Sequence, residues 1–189
     1  FYLVRLEAIA IDDSNPAPLF SVICEPDDDL KAVATHNKEL TDRGKFNLNL
    51  WSEVVAHCQS VLPQFAGRKP SKYHFFGGSS GKGGLSFTFL ATSGFYGVEL
   101  YIDVQDADQN ELILKSLMKD QRAIEAEFGH KFDWELLEEK RACRVRFKIA
   151  EEDAMQVDFK KLVSSLVDTM AKFERVFRPR IKALSVRAE

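Results

Sequence analysis

The sequence predicts an α+β fold, with antiparallel strands and helices packed mainly on one face. Three observations carry that expectation. Two alternating segments joined by a short turn, LSFTFL (85–90) and FYGVELYID (95–103), read as a hairpin. Two long stretches, 109–128 and 157–178, repeat apolar residues every three or four positions, as helices do. The elements also run strand pair, helices, strands, helix, strands, helix, unlike the regular βαβ alternation of a parallel sheet. No repeat at periods of 20–50 residues points to a solenoid or propeller.

Composition sets the outer limits. The chain has 189 residues, 45% hydrophobic and 29% charged, enough to bury a core without a disulfide or metal staple. Fifteen Phe against three Met and two Trp predict a core filled by aromatic rings. Disordered, collagen-like and membrane-spanning classes are excluded, and the longest apolar runs fall far short of the roughly 20 residues a membrane helix needs. A net charge of −3 argues against a protein that coats nucleic acid with its whole surface, though not against a local basic patch. Cys24, Cys58 and Cys143 are scattered singly, without CxxC spacing, which fits a reducing cytoplasm and small core residues. Arg5 and Glu7 interrupt the opening apolar run, so it does not read as a signal peptide. With no initiator Met and a mid-strand start at Phe1, the chain reads as a piece of something longer.

Taken in order, residues 1–11 and 19–24 are β-branched and aromatic runs around a Pro-containing loop, a hairpin-like strand pair. The acidic turn 25–29 precedes a weakly apolar helical linker over 30–43, ended by Gly44. A better helix follows over 48–62, with Asn47 as its N-cap, Phe46 and Trp51 as a hydrophobic staple, and Pro63 after its end. Residues 63–84 read as loop, with one short strand Tyr73–Phe76 and GGSSGKGG (77–84) as a mobile tip. After the hairpin, Asp108 with Glu111 starts the helix 109–128 in the manner of a capping box. Its stripe is Leu114, Leu117, Met118, Ile124 and Phe128, and Gly129 stops it. Two strands follow, 132–137 and 142–149. The last helix carries Phe159, Leu162, Val163, Leu166, Met170, Phe173 and Phe177 on one face, and Pro179 is expected to break or kink it.

Catalytic constellations fail on spacing. GGSSGKGG lacks the first Gly and the Ser or Thr of a phosphate-binding Walker loop, with Phe76 and Gly83 in those places, and it precedes a strand. Asp120 with Glu138 and Lys140 matches the spacing of PD-(D/E)xK nucleases, but Asp120 falls within a helical stretch and the other two in a polar turn, so solvated charge explains them. His36, His57, His74 and His130 lie in unrelated elements, and no zinc-ligand spacing exists. No catalytic residue, metal or cofactor is therefore expected. The strands 98–103 and 144–149 each bury one face and carry charge on the other: Glu99, Tyr101 and Asp103 against Arg144, Arg146 and Lys148. If the strands are neighbours the stripes pair. If they are not, the cations form a row suited to a phosphate backbone.

The motifs GVELYID (97–103), IEAEFG (124–129), DWELLEEKRACRVRF (133–147) and FERVFRPRI (173–181) resemble a bacterial family known as domain of unknown function 4268, over roughly residues 45–184. The resemblance implies a C-terminal module of longer proteins whose N-terminal half resembles a PD-(D/E)xK nuclease-like domain. The opening residues are similar to the strands that end such a domain. The expected organisation is terminal strands of an upstream domain (1–26), a helical linker (27–44) and a C-terminal α+β domain (45–189). The implied role is a non-catalytic accessory module of a nuclease-like, nucleic-acid-binding protein in bacterial defence against foreign DNA. The alternative is a protein–protein or dimerisation module, joined through the first hairpin or the Phe-rich terminal helix.

Positive charge gathers in two segments, which name the candidate contacts for DNA or RNA. Arg68, Lys69, Lys72 and Lys82 lie in the loop, and Lys172, Arg175, Arg178, Arg180 and Lys182 in the terminal segment, with Arg144 and Arg146 as a floor between them. The competing reading is two solubilising faces around an acidic middle.

Overall fold

The computed structural model describes residues 3–9, 17–24, 41–137 and 140–184. The chain divides into two units, Phe1–Thr41 and Asp42–Glu189. In the first, β1 (Leu3–Ile9) and β2 (Ala17–Cys24) pair antiparallel, from Leu3 opposite Cys24 to Ile9 opposite Ala17, as the two apolar runs predict. The linker helix expected over 30–43 falls almost wholly outside the described residues.

The second unit contains α1 (Asp42–Cys58), a 3₁₀ turn (Pro63–Phe65), β3 (Phe75–Ser79), β4 (Leu85–Ala91), β5 (Tyr96–Ile102), α2 (Ala107–Met118) and α3 (Gln121–Phe128). It continues with β6 (Asp133–Leu136), β7 (Cys143–Ala150) and α4 (Phe159–Ala183). The five strands form one sheet in the order β3-β4-β5-β7-β6, and every neighbouring pair is antiparallel. The fold is α+β, as the order of elements predicts.

Strand alternation sorts side chains onto two faces. On the inner face, Phe76, Phe89, Val98 and Phe147 form one cross-strand row, and Gly78, Phe87, Leu100 and Val145 the next. The helices cover this face. Trp51 of α1 stacks on Phe76 with ring centres 5.7 Å apart, Phe173 of α4 meets Phe87 edge-on at 6.1 Å, and Phe128 of α3 meets Phe147 at 4.9 Å. Edge-on and offset ring pairs add roughly 0.5–1.5 kcal/mol each beyond the area they bury, so an aromatic core specifies geometry as well as stability.

Two glycines within strands are required by close approach. A Cβ on Gly78 would lie 2.7 Å from the Phe65 ring, so this strand residue lets the 3₁₀ turn pack down on β3. A Cβ on Gly97 would lie 2.2 Å from the Phe147 carbonyl oxygen, where the β5–β7 register shifts between Tyr96 and Gly97. That obstacle is backbone and has nowhere to go.

Several expectations are corrected. α1 begins at Asp42, so Gly44 is a buried residue inside it and not the end of a preceding helix. Asn47 is not an N-cap: it lies 1% exposed within α1 and donates from Nδ2 to the Lys72 carbonyl at 3.0 Å. Tertiary burial here outweighs the roughly 1 kcal/mol intrinsic cost of a helical Gly. Gly77, Gly78 and Ser79 belong to β3, because Gly78 is held under Phe65. The rest of the expected mobile tip is tied down, with the Ser80 hydroxyl donating to the Leu85 carbonyl (2.8 Å) and Lys82 Nζ to that of Leu184 (2.6 Å).

The stretch 109–128 is two helices that meet at Lys119–Asp120, and Met118 is exposed. The cap of α2 is Asp106, whose Oδ1 accepts from the Gln109 N–H at 2.9 Å, and not Asp108. Both helices bury their stripes toward the core, so the apolar period runs unbroken through the junction and conceals it. Gly129 stops α3 in the left-handed conformation (φ 85°), as expected. Pro179 does not end α4, which continues to Ala183. Its missing N–H removes one bond near the C-terminus, while Phe177 and Ile181 bury on either side of it.

Candidate binding groove

The opposite face of the sheet carries the polar half of each alternation. Gly77, Thr88, Glu99, Arg146 and Asp133 form one row across all five strands, and Ser79, Ser86, Tyr101, Arg144 and Glu135 form the next. β5 and β7 are neighbours, with Glu99 opposite Arg146 and Tyr101 opposite Arg144, so the paired reading of the charged stripes holds. Arg144 Nη2 lies 2.5 Å from Glu135 Oε2, and Arg146 Nη2 lies 2.6 Å from Glu135 Oε1 and 3.1 Å from Asp133 Oδ2.

This face holds a groove of about 670 Å³. Ser86, Thr88, Glu99 and Tyr101 line it together with the flat strand residues Gly77 and Gly78, the apolar side chains of Phe75, Leu90 and Leu137, and the cations Arg68, Lys140 and Arg144. A volume of this size suits a small organic group. Glu99 is 6% exposed and its Oε2 accepts no hydrogen bond. Arg144 Nη1 stands 3.8 Å away, within ion-pair range but beyond hydrogen-bond range. Burial pushes the Glu99 carboxyl above the ordinary carboxylate range, Arg144 and Arg146 pull against it, and Glu135 adds to the upward push.

The rim beside the groove is built by the segment between α1 and β3. The Asn47 amide donates to the Lys72 carbonyl and the Trp51 Nε1–H to the Tyr73 carbonyl at 2.8 Å, so two buried side chains of α1 fix its backbone. Arg68, Lys69, Lys72, Tyr73, His74 and Phe75 are all exposed there. Tyr73 and Phe75, at 55% and 46% exposure, stack on one another with centres 5.7 Å apart and planes 11° from parallel. A second hollow of about 500 Å³ adjoins them, lined in part by Arg68, Lys69, Tyr73 and Phe75.

The candidate cations do not all meet. Arg68 and Arg144 line the same groove, and Lys69 and Lys72 stand on its rim. Arg146 lies beneath the carboxylates of Asp133 and Glu135, with its guanidinium 5.0 Å from the Phe95 ring centre. The cations of α4 belong to the helix that covers the other face. Arg178 pairs with Glu174 at 2.5 Å and reaches the Ser80 carbonyl, Arg180 pairs with Glu127 at 2.8 Å, and Lys172 lies over the Phe128 ring. Arg175 and Lys182 are exposed on the same helix, and Lys82 joins it through Leu184. The terminal helix was offered above as a partner contact; Phe173 and Phe177 on its apolar face are wholly buried in the core of this unit.

Sequence reasoning missed Tyr73, His74 and Phe75, although the interleaving of cations and aromatics in RKPSKYHF (68–75) was there to be read. It named Glu99 only as a member of a stripe. Among the described residues no group of three or more His, Cys, Asp or Glu is placed to hold a metal ion. Asp120 stands at the start of α3, Lys140 lines the groove, and Glu138 lies outside the described residues. Burial pushes the Cys58 thiol up to about 12, which leaves it inert as a nucleophile at neutral pH. No helix among the described residues is long and apolar enough to cross a membrane.

A five-stranded antiparallel sheet, with helices on one face and a polar groove open on the other, defines a small α+β module. The family described as Domain of unknown function (DUF4268) matches residues 46–181, and the chain belongs to that family. No curated protein and no solved structure matches it.

Proposed function

We propose that the Asp42–Glu189 unit is a non-catalytic nucleic-acid-binding module that engages a single strand along the 68–75 rim. The observation that carries this reading is the exposed stacked pair Tyr73–Phe75 flanked by Arg68, Lys69 and Lys72. None of these three cations makes an ion pair among the described residues, unlike Arg144, Arg146, Arg178 and Arg180. Aromatic platforms beside unneutralised cations are what single strands require. Each base stacked on a ring is worth about 1–3 kcal/mol, and the phosphates are met by cations that follow the backbone. A bacterial, cytoplasmic, nuclease-like parent with a role in defence is the context we favour, supported by the likeness of residues 1–26 to the strands that end such a nuclease-like domain.

The test is a titration of a fluorescent single-stranded oligonucleotide at several salt concentrations. Affinity is expected to fall steeply with salt, with a log–log slope of about 0.7 per phosphate contact. Replacing Tyr73 by Ala is expected to weaken binding about tenfold at every salt concentration. If neither single- nor double-stranded DNA or RNA binds at low salt, this reading is withdrawn.

A further inference from the structure

We infer that the groove on the open sheet face receives one unstacked base of the bound strand, and that Glu99 at its floor accepts a hydrogen bond from the exocyclic amino group of that base. The inference rests on the nucleic-acid reading above and adds what the module selects.

Three observations lead to it. The groove adjoins the stacking rim and shares Arg68 and Phe75 with the neighbouring hollow, so a strand held on Tyr73 and Phe75 passes its mouth. Its volume of about 670 Å³ and its flat, partly apolar walls suit a planar heterocycle, while Arg68 and Lys140 at its sides complement the phosphate that comes with one. At the floor, Glu99 is 6% exposed and its Oε2 accepts no hydrogen bond, with the nearest cation 3.8 Å away. Buried carboxylate oxygens are normally hydrogen-bonded, so a buried oxygen without a partner, on a residue that lines the groove, keeps acceptor capacity for a donor that reaches it from the ligand.

The chemistry of the acceptor decides among bases. A carboxylate accepts from the N4 amino group of cytosine, as acidic side chains do in base readout. Uracil offers only its N3–H, flanked on both sides by carbonyl oxygens that the same carboxylate repels. Cytosine and uracil are otherwise close to identical in shape, so the difference between them isolates this contact.

The experiment compares oligo(dC) with oligo(dU) of equal length by fluorescence anisotropy at one salt concentration near pH 7.5. The protein is expected to bind oligo(dC) about tenfold more tightly. In Glu99→Gln the preference is expected to shrink to within twofold, because the amide also donates to the uracil carbonyl, while the salt slope stays that of the wild type. Equal affinity for the two oligonucleotides, with steep salt dependence and sensitivity to Tyr73→Ala retained, overturns the groove assignment and leaves the rim reading intact. A preference that persists undiminished in a folded Glu99→Gln protein also overturns it. If that variant does not fold, the wild-type comparison of oligo(dC) with oligo(dU) decides alone. Absence of binding to either oligonucleotide at low salt defeats the rim reading, and this one with it.

Discussion

Glu99 and Arg144 stand on neighbouring strands with Oε2 and Nη1 3.8 Å apart, near enough to attract and too far to hydrogen-bond. The arginine is held instead by Glu135, at 2.5 Å, so its charge is shared and the buried carboxylate is only partly compensated.

The consequence is a defined pH response. Burial raises the Glu99 carboxyl in the folded state, so its contribution to stability is complete below the ordinary Glu value of about 4.3 and is lost as pH rises through the folded value. Glu99→Gln has no such titration. Relative to wild type it is expected to gain stability as pH rises above the ordinary Glu value of about 4.3, measured by urea denaturation at a series of pH values. A wild-type protein that gains on the variant over that range contradicts the assignment.

Arg43 and Asp153 behave in the opposite sense. Arg43 Nη2 lies 2.7 Å from both Asp153 oxygens, and that contact, helped by the Met155 N–H, holds the carboxyl below its usual range. A lowered folded value gives stability that is present above the ordinary Asp value of about 3.9 and lost as pH falls through the folded one. Arg43→Ala is expected to cost about 1 kcal/mol at pH 7, since the pair is partly exposed. The cost should vanish under acid, so a cost that stays constant down to about pH 3 would count against an ionic origin.

Gly97→Ala tests the closest backbone approach in the sheet. Its methyl group would sit 2.2 Å from the Phe147 oxygen, so β5 and β7 must separate to admit it. We expect a loss of about 2 kcal/mol or more by denaturant titration, against the few tenths ordinary for an exposed strand position. An unchanged midpoint would show that the register near Gly97 is wrong.

Phe173→Ala tests the shared core. The ring is fully buried among Phe87, Phe128, Phe132 and Phe177, which come from β4, α3, the segment before β6 and α4. Its removal is expected to cost about 3–5 kcal/mol in a single cooperative transition. Two resolved transitions would mean that the sheet and α4 unfold apart.

The division of cations between the faces makes a comparative prediction. Arg178→Ala with Arg180→Ala removes groups already paired with Glu174 and Glu127, and affinity for single strands is expected to change by less than about twofold. Arg68→Ala with Lys69→Ala and Lys72→Ala is expected to lower the salt slope by about 2, near 0.7 for each contact. The reverse ranking would move the contact surface to α4.

What the sequence by itself determined was periodic. Alternation in 85–90, 95–103 and 142–149 identified three strands and sorted their faces, and the stripe from Phe159 to Phe177 identified α4, because burial imposes a period of 2 on strands and 3.6 on helices. Periodicity is blind to events that preserve it, which is why the junction at Lys119–Asp120 and the continuation through Pro179 went unread. It also carries no information about neighbours. That Glu99 faces Arg146 follows from β7 inserting between β5 and β6, a choice made by packing between residues far apart in the chain. The same pairing places Arg144 2.5 Å from Glu135 but 3.8 Å from Glu99, whose buried oxygen is left without a donor, an imbalance of distances that tertiary structure alone sets.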